Sequence, residues 1–365
     1  MTKDLLPVAL PQLARKGRGA ATNPANRYEA HHTEKIDDGW ELPEECRRLT
    51  AEVVIDQSRT IIARNTSPDV PFDRSINPYR GCEHGCTYCF ARPTHAQIGY
   101  SPGLDFETRI LVKPKAAELL RAALRKPGYT VAPIAIGTNT DPYQPVERTH
   151  RVMRQVLEVL WEHRHPVSIT TKGSLILRDL DLIGRMARAG LASVTISLTT
   201  LDNRLSRSLE PRAAAPGRRI AIIHSLADQG VPVSANLAPV IPALTDHEIE
   251  RLVEAAAGAG AVSAGMILLR LPLEVAPLFR DWLARACPDR AARVMGRVRE
   301  TQGGRDYDPA WGKRLQGEGA HASLIQRRFR LALKRNGLDR RRLDDLRCDL
   351  FRVPPMTGDQ LSLGF

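Results

Sequence analysis

Between residues 74 and 287 short apolar runs alternate with amphipathic stretches, and no other feature limits the fold so strongly. An extended segment, 75–80, comes first. Pro114 then opens a helix to Arg125 whose stripe is Leu119, Leu120 and Leu124. Residues 131–136 read as a strand, and 149–163 as a helix with Val152, Val156, Val159 and Leu160 at helical spacing. Residues 166–170 read as a strand. Leu180, Ile183, Met186 and Ala187 mark a helix stopped by Gly190. The rhythm continues with strands at 192–198, 231–240 and 262–271 and helices at 220–229, 249–257 and 278–286. Thr245 and Asp246 are candidate caps of the second of these helices. Six β/α units of this kind imply a parallel sheet with right-handed crossovers, covered on both faces. An open doubly wound sheet and an incomplete (β/α)6 barrel both satisfy the pattern. In either, ligands lie beyond the C-terminal ends of the strands.

The segments expected at those ends are polar: a cysteine loop, 137–143, 171–173 and 197–200. The loop carries Cys82, Cys86 and Cys89 as Cys-x3-Cys-x2-Cys. Thiolates are soft ligands suited to iron–sulfur clusters, zinc or copper(I). A structural zinc site or a simple electron-carrying cluster needs four ligands, and no fourth cysteine is near. Cys46 falls in the N-terminal region, and Cys287 and Cys348 fall after the sixth unit. Three ligands leave one position open, although His84 or His95 would complete a zinc site. Gly81 and Gly85, each directly before a cysteine, let the backbone turn tightly.

This arrangement resembles the radical S-adenosylmethionine (SAM) superfamily over roughly residues 70–310. The resemblance implies an incomplete (β/α)6 TIM barrel and a [4Fe–4S] cluster held by Cys82, Cys86 and Cys89. It implies SAM chelating the fourth iron and reductive cleavage of SAM to a 5′-deoxyadenosyl radical that abstracts hydrogen. It also implies an electron donor such as flavodoxin or ferredoxin. Residues 137–147, Thr171-Lys172 and Leu209-Glu210-Pro211-Arg212 resemble the spore photoproduct lyase-like (DNA repair photolyase-like) branch. Carried over by position, Phe90 lies beside the adenine. Thr138, Asn139, Thr140 and Asp141 line the methionine end of SAM. Lys172 and Ser197 make polar contacts to SAM, and Arg219 is a candidate for its carboxylate. The plainer roles are a loop cap for Lys172, a strand hydroxyl for Ser197 and a Glu210 pair for Arg219. The hydrogen-donating cysteine of the lyase has no counterpart in Thr138-Asn139-Thr140, which argues against the same repair route. Tyr143 is a hydrogen donor in principle, and packing is its ordinary role.

The whole chain has 365 residues and a net charge of +12. Residues 1–70 hold 10 Lys+Arg against 11 Asp+Glu, whereas residues 313–352 hold 12 against 5 and so net +7. The expected organisation is an N-terminal arm, partly disordered, over 1–69, a radical SAM core over 70–310 and a basic C-terminal extension over 311–365. Within the arm, Arg15-Lys16-Gly17-Arg18-Gly19 is a candidate phosphate contact. Arg327, Arg328, Arg330, Lys334 and Arg335 would face nucleic acid, with Leu324, Phe329 and Leu333 anchoring their helix to the barrel. No run approaches the length of a membrane helix, and Pro7 and Pro11 break the short N-terminal apolar stretch, so a cytoplasmic protein without membrane contact is expected. The reading is therefore a radical SAM enzyme whose substrate the sequence leaves open, nucleic acid leading, with protein or a small molecule the alternative within the same class. The rival is a non-catalytic, zinc-bearing nucleic-acid-binding protein.

Overall fold

The computed structural model describes residues 16–29, 49–338 and 346–355. Cys46, Arg15 and Arg340 to Arg342 lie outside them. Ten strands occur among the described residues: β1 (Glu52–Ile55), β2 (Ile62–Arg64), β3 (Arg74–Ile76), β4 (Tyr79–Arg80), β5 (Arg109–Val112), β6 (Ile134–Ile136), β7 (Val167–Thr171), β8 (Ala192–Ser197), β9 (Val233–Val240) and β10 (Ser263–Leu268). The large sheet has the order β10-β9-β8-β7-β6-β3-β2, parallel throughout except for β2, which runs antiparallel to β3 at one edge. Six parallel strands in chain order, with helices in the connections, are the arc of a partial barrel.

The expected single strand at 75–80 is divided. Pro78 has no N–H for a ladder, and the chain switches there from β3 in the large sheet to β4 in a small one. That small sheet has the order β1-β5-β4. β1 and β2 lie within the segment read as an arm, whose extended character carried no helical or turn signal to announce them.

The longer helices are α1 (Ala116–Leu124), α2 (Val152–Glu162), α3 (Leu180–Arg188), α4 (Pro216–Asp228), α5 (Ile249–Gly258), α6 (Val275–Ala286), α7 (Pro288–Thr301) and α8 (Gly319–Arg335). The expected helix at 149–163 is interrupted at Arg151, which adopts a left-handed φ of 49° between a short turn (Glu147–His150) and α2. A 3-10 turn (Asp246–Glu248) precedes α5, so Thr245 and Asp246 do not cap that helix directly. β6 to β9 are almost wholly buried, with Ile134, Ile136, Val167, Ile169, Val194, Ile196, Val233 and Leu237 fully enclosed. β10, at the open edge of the arc, is only half-buried. α8 packs on α5 and β10 there through Ala322, Ile325, Phe329 and Ala332, spaced three, four and three apart. Leu324, expected on that face, is 51% exposed. Ile325 occupies the inward position one residue on.

At the opposite end of the strands, residues 346–355 lie across the barrel. The Arg352 N–H donates to His163 O at 2.9 Å, and Phe351 packs on the rings of Tyr129 and His165.

Candidate active site

The cysteine loop leaves β4 at the C-terminal mouth of the strands. Gly85 has φ +67°, and a Cβ there would meet Glu107 Oε2 at 2.7 Å, so the turn needs glycine. Cys82 and Cys86 are buried and Cys89 is half-buried, and none of the three forms a disulfide. Burial pushes the Cys82 thiol up, with Asp141, Cys86 and Cys89 adding to it. Burial likewise raises Cys86. Lys172 and Arg219 work the other way on Cys86, and the charge of a bound metal centre would favour all three thiolates further. Three soft, unpaired donors on one loop fit an iron–sulfur cluster. Among the described residues no group of three His, Cys, Asp or Glu side chains is arranged to hold a single metal ion. His84 Nδ1 faces Asp141 Oδ2 at 3.3 Å and His95 Nε2 lies 3.0 Å from Arg109 O, while the buried Nδ1 atoms of both rings make no hydrogen bond.

The loop is braced from three directions. Arg92, fully buried, donates through Nε and Nη2 to Cys86 O at 3.0 and 2.9 Å, and to Glu107 at 2.5 Å. Glu107 in turn accepts the N–H groups of Gly19 and Ala20 at 3.0 and 2.8 Å. Gly19 runs so close over the loop that a Cβ there would sit 1.8 Å from Gly85 O. Arg18 is therefore no solvent cation. It is buried and donates to Glu107 O at 2.8 Å and to Leu49 O, which corrects its assignment as a phosphate contact. From the second side Gln144 donates to Gly81 O at 3.1 Å and accepts from Glu83 N at 2.8 Å. From the third, Arg212 pairs with Glu83 at 3.0 Å. Neither the Arg92–Glu107 pair nor the Gln144 clamp carries a local sequence signal.

The loop after β6 is tied to the first strand. Asn77 Oδ1 accepts the Asn139 and Thr140 N–H groups at 3.0 and 3.3 Å, its Nδ2 donates to Thr138 Oγ1 at 3.4 Å, and Thr140 Oγ1 donates to Tyr79 O at 2.9 Å. Asp141 accepts from Tyr143 N, Thr171 Oγ1 and Lys172 N at 2.6 to 2.9 Å. Burial opposes its charge, but His84, Thr171 and the Lys172 N–H outweigh it and hold the carboxyl at about 2. Tyr143 is buried and donates to Asp179 at 3.1 Å, a packing role.

A buried ionic network completes the floor. Glu210 accepts from Lys172 Nζ at 2.9 Å and Thr199 Oγ1 at 3.0 Å, and also from Tyr88 and Arg219. Lys172 Nζ reaches the Tyr88 hydroxyl at 2.8 Å. Burial works against the Glu210 charge, yet Arg219 and Lys172 depress its carboxyl far below the ordinary range. Arg219 spends its other donors on Ala214 O at 2.7 Å and Ser197 O at 3.2 Å, so its guanidinium is occupied by protein acceptors. Ser197 closes β8 beside it, buried. Phe90, directly after Cys89, is 41% exposed with Arg270 stacked on its ring.

The residues singled out from sequence thus gather at one mouth: the cysteines, 138–141, Lys172, Ser197 and Phe90, with Arg219 behind Glu210. The Radical SAM superfamily profile matches residues 76–256, and the chain belongs to that superfamily. It is 40% identical over 226 residues to an uncharacterized protein of Mycobacterium tuberculosis, covering 61% of this chain and 66% of that one. It is 29% identical over 186 residues to the Radical SAM Nalpha-GlyT isomerase of Pseudomonas phage M6, covering 50% and 36% of the two chains. The match therefore spans just under two thirds of the mycobacterial relative's length. Spore photoproduct lyase complexed with dinucleoside spore photoproduct superposes with a TM-score of 0.58 at 16% identity, over 78% of this chain and 79% of that one. At that identity the likeness concerns the fold.

Proposed function

We propose that this chain holds a [4Fe–4S] cluster on Cys82, Cys86 and Cys89, binds SAM beside it and acts on a nucleic-acid substrate by hydrogen abstraction. The observation that carries the reading is three unpaired thiols on one braced loop at the mouth of a six-stranded parallel arc. When bound, the cluster and SAM supply reductive cleavage to a carbon-centred radical, with electrons from a donor such as flavodoxin or ferredoxin.

The chain's own part is orientation and exclusion of water. Arg92 fixes the Cys86 peptide, and Gln144 and Asp141 fix the loop against the β6 and β7 ends. Lys172 holds a positive charge at the floor, steadied by Glu210. Thr138, Asn139, Thr140 and Ser197 present polar groups at strand ends, where SAM would bind. The nucleic-acid substrate is supported by the fold likeness to a lyase solved with a dinucleoside. It is supported also by exposed Arg327, Arg330, Lys334 and Arg335 on α8, whereas Arg328 is paired with Glu250 at 2.7 Å. The zinc-bearing alternative is the weaker reading, because among the described residues no three His, Cys, Asp or Glu side chains are arranged to hold a single metal ion.

Anaerobic reconstitution of the wild type and Cys86→Ala tests this. Brown wild-type protein containing iron and sulfide, yielding 5′-deoxyadenosine on reduction, is expected, together with loss of both properties in the variant. Full iron occupancy and unchanged SAM cleavage in Cys86→Ala would refute the assignment. A colourless zinc protein would restore the rival.

A further inference from the structure

Two residues beyond β10, at the same mouth, Arg270 places its guanidinium carbon 3.8 Å from the centre of the Phe90 ring. Arg270 is half-buried, with Tyr307 and Cys89 beside it. Its guanidinium bonds the Tyr307 hydroxyl and feels Asp69 at longer range, but among the described residues no carboxylate lies within ion-pair distance of it. The neighbouring Arg314 is already taken by Asp69 and Ser67. Asp69 also accepts the Gly312 N–H at 2.7 Å, which pins the loop carrying Trp311. Trp311 and Leu273 are each 62% exposed, and Leu273 holds a left-handed φ of 49°, a strained conformation for leucine. A guanidinium with no carboxylate in ion-pair contact, stacked on an exposed aromatic ring, is a fitting receptor for a phosphodiester: phosphate meets arginine while the ring holds it in place. The chain's charge of +12 attracts a polyanion to it.

We propose that Arg270, seated on the Phe90 ring, forms the site for a backbone phosphate of a single-stranded nucleic-acid segment at the mouth. The inference rests on the nucleic-acid reading above and assigns residues to it. Arg270 takes the phosphodiester oxygens in plane, and Phe90 holds its guanidinium from one face, leaving the other face of the ring to the cofactor.

The test is fluorescence anisotropy with labelled oligo(dT) and oligo(U) octamers on anaerobically reconstituted full chain, carrying Arg270→Gln or Arg270→Lys. The Gln variant is expected to bind about tenfold more weakly. Its slope of log affinity against log salt should flatten by about 0.7, one single-strand phosphate contact. Lys should fall between Gln and wild type, because it keeps the charge and loses the planar stack. The DNA and RNA arms separate the two sources of phosphodiester. Iron content, SAM affinity and melting temperature should match wild type. Wild-type binding unchanged in Arg270→Gln overturns the inference and leaves the nucleic-acid reading standing. A shift in SAM affinity or cluster potential with unchanged strand binding overturns it too, and assigns Arg270 to the cofactor. Absence of strand binding by the wild type sinks the substrate reading and the site together.

Discussion

Glu210 stands between two cations, Lys172 at 2.9 Å and Arg219, with its carboxylate enclosed. Removing its charge leaves two largely buried cations facing one another. Glu210→Gln should therefore cost about 3–5 kcal/mol of stability, read as a lowered urea midpoint. A change below about 0.5 kcal/mol would mean that the two cations find other counter-charges. At this scale the sequence was informative where partners are local. The spacing of Cys82, Cys86 and Cys89 is complete within eight residues, and Lys172 follows its strand directly. The Arg92–Glu107 brace was invisible because its other partners, Gly19 and Ala20, lie 88 and 87 residues before Glu107. No helix or strand period connects such positions. Arg18 misled for the same reason, since a basic residue beside glycines looks solvent-facing until its distant carbonyl acceptors are known.

At the scale of elements, periodicity found each β/α pair of the arc but not which residue of a run faces inward. α8 shows the one-residue ambiguity: Leu324 and Ile325 are both apolar, and only the register of Ala322, Phe329 and Ala332 selects the second. Phe329→Ala should destabilise by about 3–5 kcal/mol, whereas Leu324→Ala should stay within about 0.5 kcal/mol. Paired denaturation curves check the contrast, and equal effects would place the helix in another rotation. The small sheet escaped notice because β1 and β4 are too short to show a period. Pro78 in particular marked a boundary that could be read as a mere interruption.

For the whole molecule, the barrel's closed end sets an acid limit. His165 is buried, bonded to Tyr129 at 2.8 Å, and its pKa falls to about 4 chiefly through burial, with Arg74 and His163 adding to it. The unfolded chain binds this proton near pH 6.5 and the native state does not. Between those values the unfolded state carries more protons, so stability falls as pH drops from 6.5 to 4 and levels below. The contribution at full separation is about 3 kcal/mol. Urea midpoints at pH 7 and pH 5 should differ accordingly, and His165→Phe should flatten the difference. An unchanged slope in that variant would assign the acid sensitivity to other groups, with His95, lowered in the same direction, the first to examine.

The bracing of the cysteine loop also sets a timetable. Its contacts begin with Gly19, which runs over Gly85, and end with Arg212, 129 residues beyond its partner Glu83, while Arg219 holds Glu210 from later still. A chain emerging from the ribosome presents its three thiols well before these late partners exist, and closing so long a span is slow relative to local folding. For that interval the thiols are open both to oxidants and to whatever delivers iron. Once α4 docks, the same loop lies behind a buried ionic floor. On the proposed assignment of these thiols, insertion of a cluster is thereby placed in competition with the folding of the second half of the barrel.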